Sequence, residues 1–192
     1  MDTVDLVGPG LAFTRSKIVG MGAAGLDGPT PCSEWTLRQL LNHLIGTMGA
    51  LGRVLGGEVV DPAEMNPSVT SAADHVGQDP LAAFDAAAAV ALAARPTDER
   101  AMSRPCAMPV GELPAGAVAN LLALDATVHG WDVARATGQD PTIPDELAER
   151  ILAFARGFVR PSVRGGAIGE EVPVAADASP SDRLVAFLGR RP

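Results

Sequence analysis

A regular apolar seam constrains the fold of this chain more than any other feature. Between residues 36 and 55, apolar side chains recur in alternating steps of four and three residues, the spacing that keeps one face of a helix against its neighbours. Its members are Leu37, Leu41, Leu44, Met48, Leu51 and Leu55. Thr36 and Gln39 form a capping-box pattern at its start. The seam therefore predicts a long bundle helix over 36–55.

Proline, glycine and aspartate divide the rest of the chain into further helical segments. We predict helices over 9–24, 80–94, 114–137 and 144–159. Aromatic residues make up only 4% of the chain, and the apolar content is mostly Ala, Leu and Val, which helices tolerate well. The predicted fold is all-α, an antiparallel bundle built from the first three of these segments together with 36–55.

Two connections lack a helical pattern. Residues 57–78 contain several prolines, serines and glycines, which predict a long surface loop with at most a short turn of helix. The connection over 97–114 is also rich in Pro and Gly, and residues 102–109 within it are predicted to form an irregular strand.

The composition changes after Pro161, where glycines and prolines precede a short apolar segment headed by Ser179 and Pro180. This part is too short to fold as an independent domain. We therefore divide the chain into a helical bundle over 1–160 and a C-terminal tail over 161–192, whose short helix packs on the bundle.

The net charge excludes several classes of partner. With 23 acidic and 15 basic residues the formal charge is -8, so a nucleic acid or an anionic membrane is not an expected partner. The most apolar stretch, 82–94, contains Asp85 and is shorter than the roughly 18 residues of a membrane span. Two cysteines make no disulfide framework, and the first residues lack the basic region of a signal peptide. We expect a cytoplasmic protein that acts on small molecules.

The segment over 114–137 places charged groups among its apolar ones. At about 100° per residue, Asp125, His129 and Asp132 fall within one arc of roughly 60°, which also holds several apolar side chains. Burying an unpaired carboxylate is costly, so these groups require a metal, a cation or a dense hydrogen-bond network.

A metal would satisfy this requirement. Asp125 and His129 are four residues apart and can supply an oxygen and a nitrogen ligand from one helix face, and His43 lies on the shoulder of the seam in the other long helix. Three protein ligands leave a position for water or substrate, as in catalytic zinc sites, and the same set suits an iron centre. A hydrogen-bonded core pair is the alternative. Asp132 is either an acceptor that holds a ligand imidazole in its tautomer or a hydrogen-bonding group of the bundle.

Five other residues have simpler interpretations. Trp35 and Trp131 are predicted to be core anchors, and His75 a solvated surface residue. Cys32 and Cys106 are predicted to be small packing residues, because no basic neighbour supports a thiolate.

Three sequence blocks, in order along nearly the whole chain, carry a family resemblance. They are TPCSEWTLRQLLNH at 30–43, VHGWDVARATG at 128–138 and ASPSDRLVAFLGR at 178–190. Together they resemble the actinobacterial metal-binding proteins of the DinB-like superfamily, which include the mycothiol-dependent maleylpyruvate isomerases.

The resemblance implies a DinB-like four-helix bundle that holds a divalent metal, usually zinc, with Ni²⁺ or Fe²⁺ as alternatives. The ligands carried onto this chain are His43, Asp125 and His129, with an aspartate where the isomerases have the longer glutamate. The thiol that the resemblance implies is mycothiol, and the predicted function is a mycothiol-dependent thiol transferase or isomerase that acts on a small electrophile. A homodimer is one option for its assembly. The isomerases have a longer C-terminal domain, so the resemblance does not by itself imply isomerase activity, and the sequence does not choose between the two reactions. A metal- or ligand-binding bundle without turnover is the alternative function.

Overall fold

The computed structural model describes residues 5–22, 25–161, 164–165 and 168–192. Helices dominate this part of the chain, which confirms the all-α prediction. In chain order the elements are α1 (Val7–Gly20), α2 (Leu37–Leu55), a 3-10 helix (Pro62–Met65), α3 (Pro67–Ala72), α4 (Pro80–Ala94), α5 (Glu99–Ser103), β1 (Pro105–Met108), β2 (Gly111–Pro114), α6 (Ala115–Ala136), α7 (Asp145–Phe158) and α8 (Pro180–Phe187).

Four long helices close a bundle. α1 packs on α6, α6 on α2, α2 on α4, and α4 on α1. The capping box at the start of α2 is confirmed, because the Thr36 hydroxyl accepts the Gln39 N–H and the Gln39 side chain accepts the Thr36 N–H. Every member of the α2 seam is buried. The seam is therefore the inner face of the bundle.

α6 is buried on more than one side. One set of its side chains, including Val118 and Leu122, joins the core formed with α1, α2 and α4. Another set, including Val128 and Trp131, joins a second core with α7 and α8. A helix with apolar residues around most of its circumference belongs in a protein interior. The boundary at residue 160 stays a prediction, since the second core contains residues from both sides of it.

Two glycines bring α1 and α6 into close contact. A Cβ at Gly10 would lie 2.7 Å from Thr127 Oγ1, and one at Gly130 would lie 2.6 Å from Thr14 Oγ1. Across this interface the Thr14 hydroxyl donates to the Ala126 carbonyl at 2.7 Å. Packing of this kind explains how the glycine-rich α1 forms in spite of its low helix propensity.

The predicted bounds of the first helix were wrong by a few residues. It begins at Val7 rather than residue 9, because the Asp5 carboxylate accepts the Val7 N–H at 3.0 Å. It ends at Gly20, and residues 23–24 of the predicted range lie outside the described residues.

The two connections contain more structure than predicted. Residues 57–78 include the 3-10 helix and α3, each begun by a proline after an Asp or Asn cap. The strand expected over 102–109 begins later, because Asp98 caps α5, and it pairs with β2 in an antiparallel hairpin. Within the described residues no helix is long and apolar enough to cross a membrane.

Candidate metal centre

The three residues predicted as metal ligands converge between α2 and α6. Asp125 Oδ1 lies 3.6 Å from His43 Nε2 and 3.5 Å from His129 Nε2. The two imidazole rings meet edge to face, with centroids 5.1 Å apart. Ligand atoms of all three residues lie within 4.8 Å of one another. The structure thus brings two nitrogens and one carboxylate oxygen around a common point.

The other nitrogen of each imidazole has its own partner. His43 Nδ1 lies 2.8 Å from Thr70 Oγ1, and His129 Nδ1 lies 2.9 Å from Asp132 Oδ2. Both Nε2 atoms face Asp125 at distances longer than a good hydrogen bond. Metal-binding histidines typically have their second nitrogen engaged in this way. The donor set and its supporting contacts therefore fit a divalent cation.

Asp132 lies at the centre of a buried charge network. It is fully buried, and Arg190 donates to both its oxygens, from Nη2 to Oδ2 at 2.8 Å and from Nε to Oδ1 at 3.2 Å. Burial alone would raise the pKa of Asp132, but the Arg190 charge and the hydrogen bond from His129 outweigh it and hold that pKa well below its usual range. Asp132 is therefore ionised and able to accept the His129 Nδ1–H.

His129 is also shifted from its ordinary protonation. Burial would lower its pKa, but the Asp125 charge and the hydrogen bond to Asp132 raise it to about 10 in the metal-free protein. Protonated His129 is more favourable in the folded state than in the unfolded state, so it stabilises the fold at pH values below 6.5, its ordinary pKa. This stabilisation is lost as the pH rises toward about 10.

We expect the metal-free protein to lose stability between pH 6.5 and 10. Urea unfolding at several values across this range measures the change in the free energy of unfolding. The His129→Gln variant, which lacks the titrating group, serves as control and should show a flatter profile. Wild-type stability that stays constant or increases with pH would contradict the assigned shift.

Cys32 has a basic neighbour that its sequence context did not reveal. Its Sγ lies 3.4 Å from Asp132 Oδ2 and 3.6 Å from Arg190 Nη2. The prediction that no basic group approaches this thiol was wrong, because Arg190 reaches it from 158 residues away in the chain. Cys106 is buried, which agrees with the prediction that it is a packing residue.

The two tryptophans have different environments. Trp131 is 2% exposed and anchors the second core, as predicted. Trp35 is only half-buried, and its ring lies against both imidazoles, with centroids 4.7 Å from His43 and 6.2 Å from His129. The prediction of a simple core anchor therefore missed that Trp35 forms a wall of the candidate site.

The sequence did not predict roles for two residues that contact the site, Thr70 and Arg190, but it did predict the exposure of His75. Thr70 lies in the segment predicted as a loop, and Arg190 belongs to the third sequence block, in which no role had been assigned to it. His75 is exposed, as predicted, and its ring lies over α2 at Gly46, where a Cβ would approach it to 2.7 Å.

The fold and the site together define a class of protein, a four-helix bundle with a His, Asp and His donor set in its interior. The profile of the mycothiol maleylpyruvate isomerase N-terminal domain family matches residues 9–134. The chain belongs to this family, which confirms the resemblance found in the sequence.

Curated relatives and solved structures agree with this assignment. Two uncharacterized proteins of Mycobacterium tuberculosis, from two strains, are each 37% identical to the chain over 177 residues, which is 90% of this chain and 89% of theirs. The crystal structure of the mycothiol-dependent maleylpyruvate isomerase has a TM-score of 0.60 at 20% identity, and the match covers 79% of this chain and 67% of that one. A histidine-to-alanine mutant of that enzyme has a TM-score of 0.61 with the same identity and coverage. At this identity the structural likeness shows the fold.

Proposed function

We propose that His43, Asp125 and His129 bind a divalent metal ion and that the metal is zinc. The observation that carries this proposal is the convergence of the two Nε2 atoms on Asp125 while both Nδ1 atoms are engaged elsewhere. Ni²⁺ and Fe²⁺ accept the same nitrogen and oxygen donors, so metal analysis decides among the three.

We further propose that the chain uses this site to handle mycothiol in one of two reactions. In the first, the thiol loses its proton and its sulfur forms a bond to a small electrophile, which releases a leaving group or takes up a proton. The second is a thiol-assisted isomerisation, which returns the thiol unchanged. Membership in a family described by a mycothiol-dependent isomerase domain supports the identity of the thiol. The metal, when bound, supplies a Lewis-acidic position that lowers the pKa of a thiol. A cytoplasmic location and a homodimer belong to the same proposal.

The residues of the chain would prepare the site for this chemistry. The Asp132 and Arg190 pair holds the His129 ring in one orientation, so its Nε2 remains directed at the donor set. The half-buried Trp35 covers one side of both imidazoles and limits the access of water there. Three protein donors leave room at the metal for a further donor from substrate.

The test combines metal analysis with a thiol assay. Wild-type protein purified without chelator should contain about one zinc per chain, as expected for a single three-ligand site. Zinc-loaded protein incubated with mycothiol and a panel of electrophiles should consume the thiol. The His43→Ala variant should consume none while keeping its helical circular dichroism, because a bundle of this size does not depend on one metal to fold.

The two parts of the proposal fail separately. Wild-type protein that binds zinc but neither binds nor consumes mycothiol would leave a metal-binding bundle without turnover. Wild-type protein that has no zinc affinity would overturn the metal centre itself.

A further inference from the structure

Thr70, in α3, contacts the nitrogen of His43 that faces away from Asp125. Its Oγ1 lies 2.8 Å from His43 Nδ1, and Thr70 is only 1% exposed. The same hydroxyl lies 3.2 Å from the Asn66 carbonyl and 3.3 Å from the Pro67 carbonyl. A hydroxyl has one proton to donate, and a carbonyl can only accept. Because the carbonyls of Asn66 and Pro67 are able to accept the Thr70 proton, the hydroxyl oxygen is able to accept the Nδ1–H of His43.

This direction of hydrogen bonding determines the tautomer of His43. A neutral imidazole carries a proton on one nitrogen and a lone pair on the other. With the proton on Nδ1, the lone pair of His43 is on Nε2, the nitrogen that faces Asp125. His43 is then able to bind a cation at that point.

The hydroxyl of Thr47 is also near His43 Nδ1 and is able to donate a hydrogen bond to it. Thr47, one turn after His43 on α2, has its Oγ1 3.3 Å from the same Nδ1. Its hydroxyl is able either to donate or to accept. If Thr70 were absent, Thr47 could donate to Nδ1, which would place the imidazole proton on Nε2 and block metal binding. The contact with Thr70 is the shorter of the two, which favours the proton on Nδ1.

The segment that carries Thr70 is attached to α2 beside His43. The Asn42 side-chain oxygen accepts the backbone N–H groups of His75 and Val76, each at 2.9 Å, and its nitrogen lies 3.5 Å from the Ser71 carbonyl. Asn42 is 4% exposed, and its bonds to Val76 and Ser71 are buried, where unmade hydrogen bonds are costly. Asn42 and His43 of α2 thus contact both α3 and the residues that follow it.

We propose that Thr70 is a positioning residue of the metal centre, which fixes His43 in the tautomer that leaves Nε2 able to bind the metal. The effect of Thr70 on metal affinity rests on the proposed function. Its effect on the tautomer of His43 does not.

The first measurement is zinc affinity, determined by competition with a chelator of known affinity. Thr70→Val keeps the shape of the side chain and removes the acceptor, and zinc affinity should fall by about 10- to 100-fold. Thr70→Ser, which restores the hydroxyl, should retain most of the wild-type affinity. Thr47→Val is the matched control, because it makes the same change near the same nitrogen, and it should leave affinity unchanged.

The second measurement is the ¹⁵N NMR spectrum of the His43 ring in the metal-free protein. Nδ1 should be protonated in the wild type and in Thr70→Ser, and the proton should move toward Nε2 in Thr70→Val. If the wild type has no affinity for zinc, the proposed function fails and this spectrum alone decides the role of Thr70. A wild-type ring protonated only on Nε2, or a Thr70→Val variant with wild-type ring shifts, would overturn the inference. An equal loss of zinc affinity in Thr47→Val would also overturn it.

Discussion

Replacement of His129 by alanine should reduce zinc affinity by at least about 100-fold, a larger effect than the loss of a group that only supports a ligand. His129 contributes one of the three donors and also links Asp125 to the buried Asp132 and Arg190 pair. Its loss removes one of the proposed ligands and leaves the Asp132 carboxylate without one of its partners. Zinc per chain, measured by elemental analysis, and affinity, measured by chelator competition, give the result.

The matched control for this experiment is His75→Ala. His75 is exposed and lies outside the donor set, so its replacement should leave zinc affinity unchanged. Equal zinc content in wild type and His129→Ala would place the metal elsewhere. Loss of zinc in both histidine variants would indicate a surface site rather than the interior one.

The Arg190→Met variant should lose about 3 kcal/mol of the free energy of unfolding, as is typical when one partner of a buried ion pair is removed. Asp132 is fully buried, and the Arg190 side chain is 13% exposed. Methionine keeps much of the apolar stem but leaves the carboxylate with His129 as its remaining charged partner. Urea unfolding of the metal-free proteins measures the difference.

The cost of losing Arg190 should depend on pH in a defined direction. The pKa of Asp132 is lowered from its ordinary value of 3.8, so ionised Asp132 stabilises the folded state at pH values above 3.8. This stabilisation is lost as the pH falls below that value. The difference between wild type and Arg190→Met should therefore shrink in acid. Arg191→Met is the control, because Arg191 is exposed and surface changes typically stay within about 0.5 kcal/mol. A stability loss equal to that of Arg191→Met would contradict the assigned role of the pair.

The elements predicted correctly are those that local sequence determines. The α2 seam and its capping box lie within one continuous segment, and both are readable from spacing. α3 is only six residues long, and its attachment depends on Asn42, about 30 residues earlier in the chain. Neither periodicity nor propensity reports such a contact, so residues 57–78 were predicted as a loop.

The same distinction applies to the candidate site. Asp125, His129 and Asp132 share one helix, and helical geometry alone places them on one face. The prediction for His43 required the pairing of two helices, which the bundle pattern supports. Thr70 is 27 residues from His43, and Arg190 is 58 residues from Asp132, so their contacts arise from the tertiary fold. These supporting residues were therefore beyond the reach of spacing arguments.

The separation between Asp132 and Arg190 also has a consequence during translation. A ribosome adds about 5–20 residues per second, so roughly 3 to 12 seconds pass between synthesis of the two partners. All four bundle helices precede Arg190 in the chain. During this interval the nascent chain contains Asp132 and His129 but not yet the arginine that neutralises the carboxylate. Arrival of the Arg190 segment completes the charge balance of the interior, so co-translational maturation of the site should finish after the bundle helices have been made.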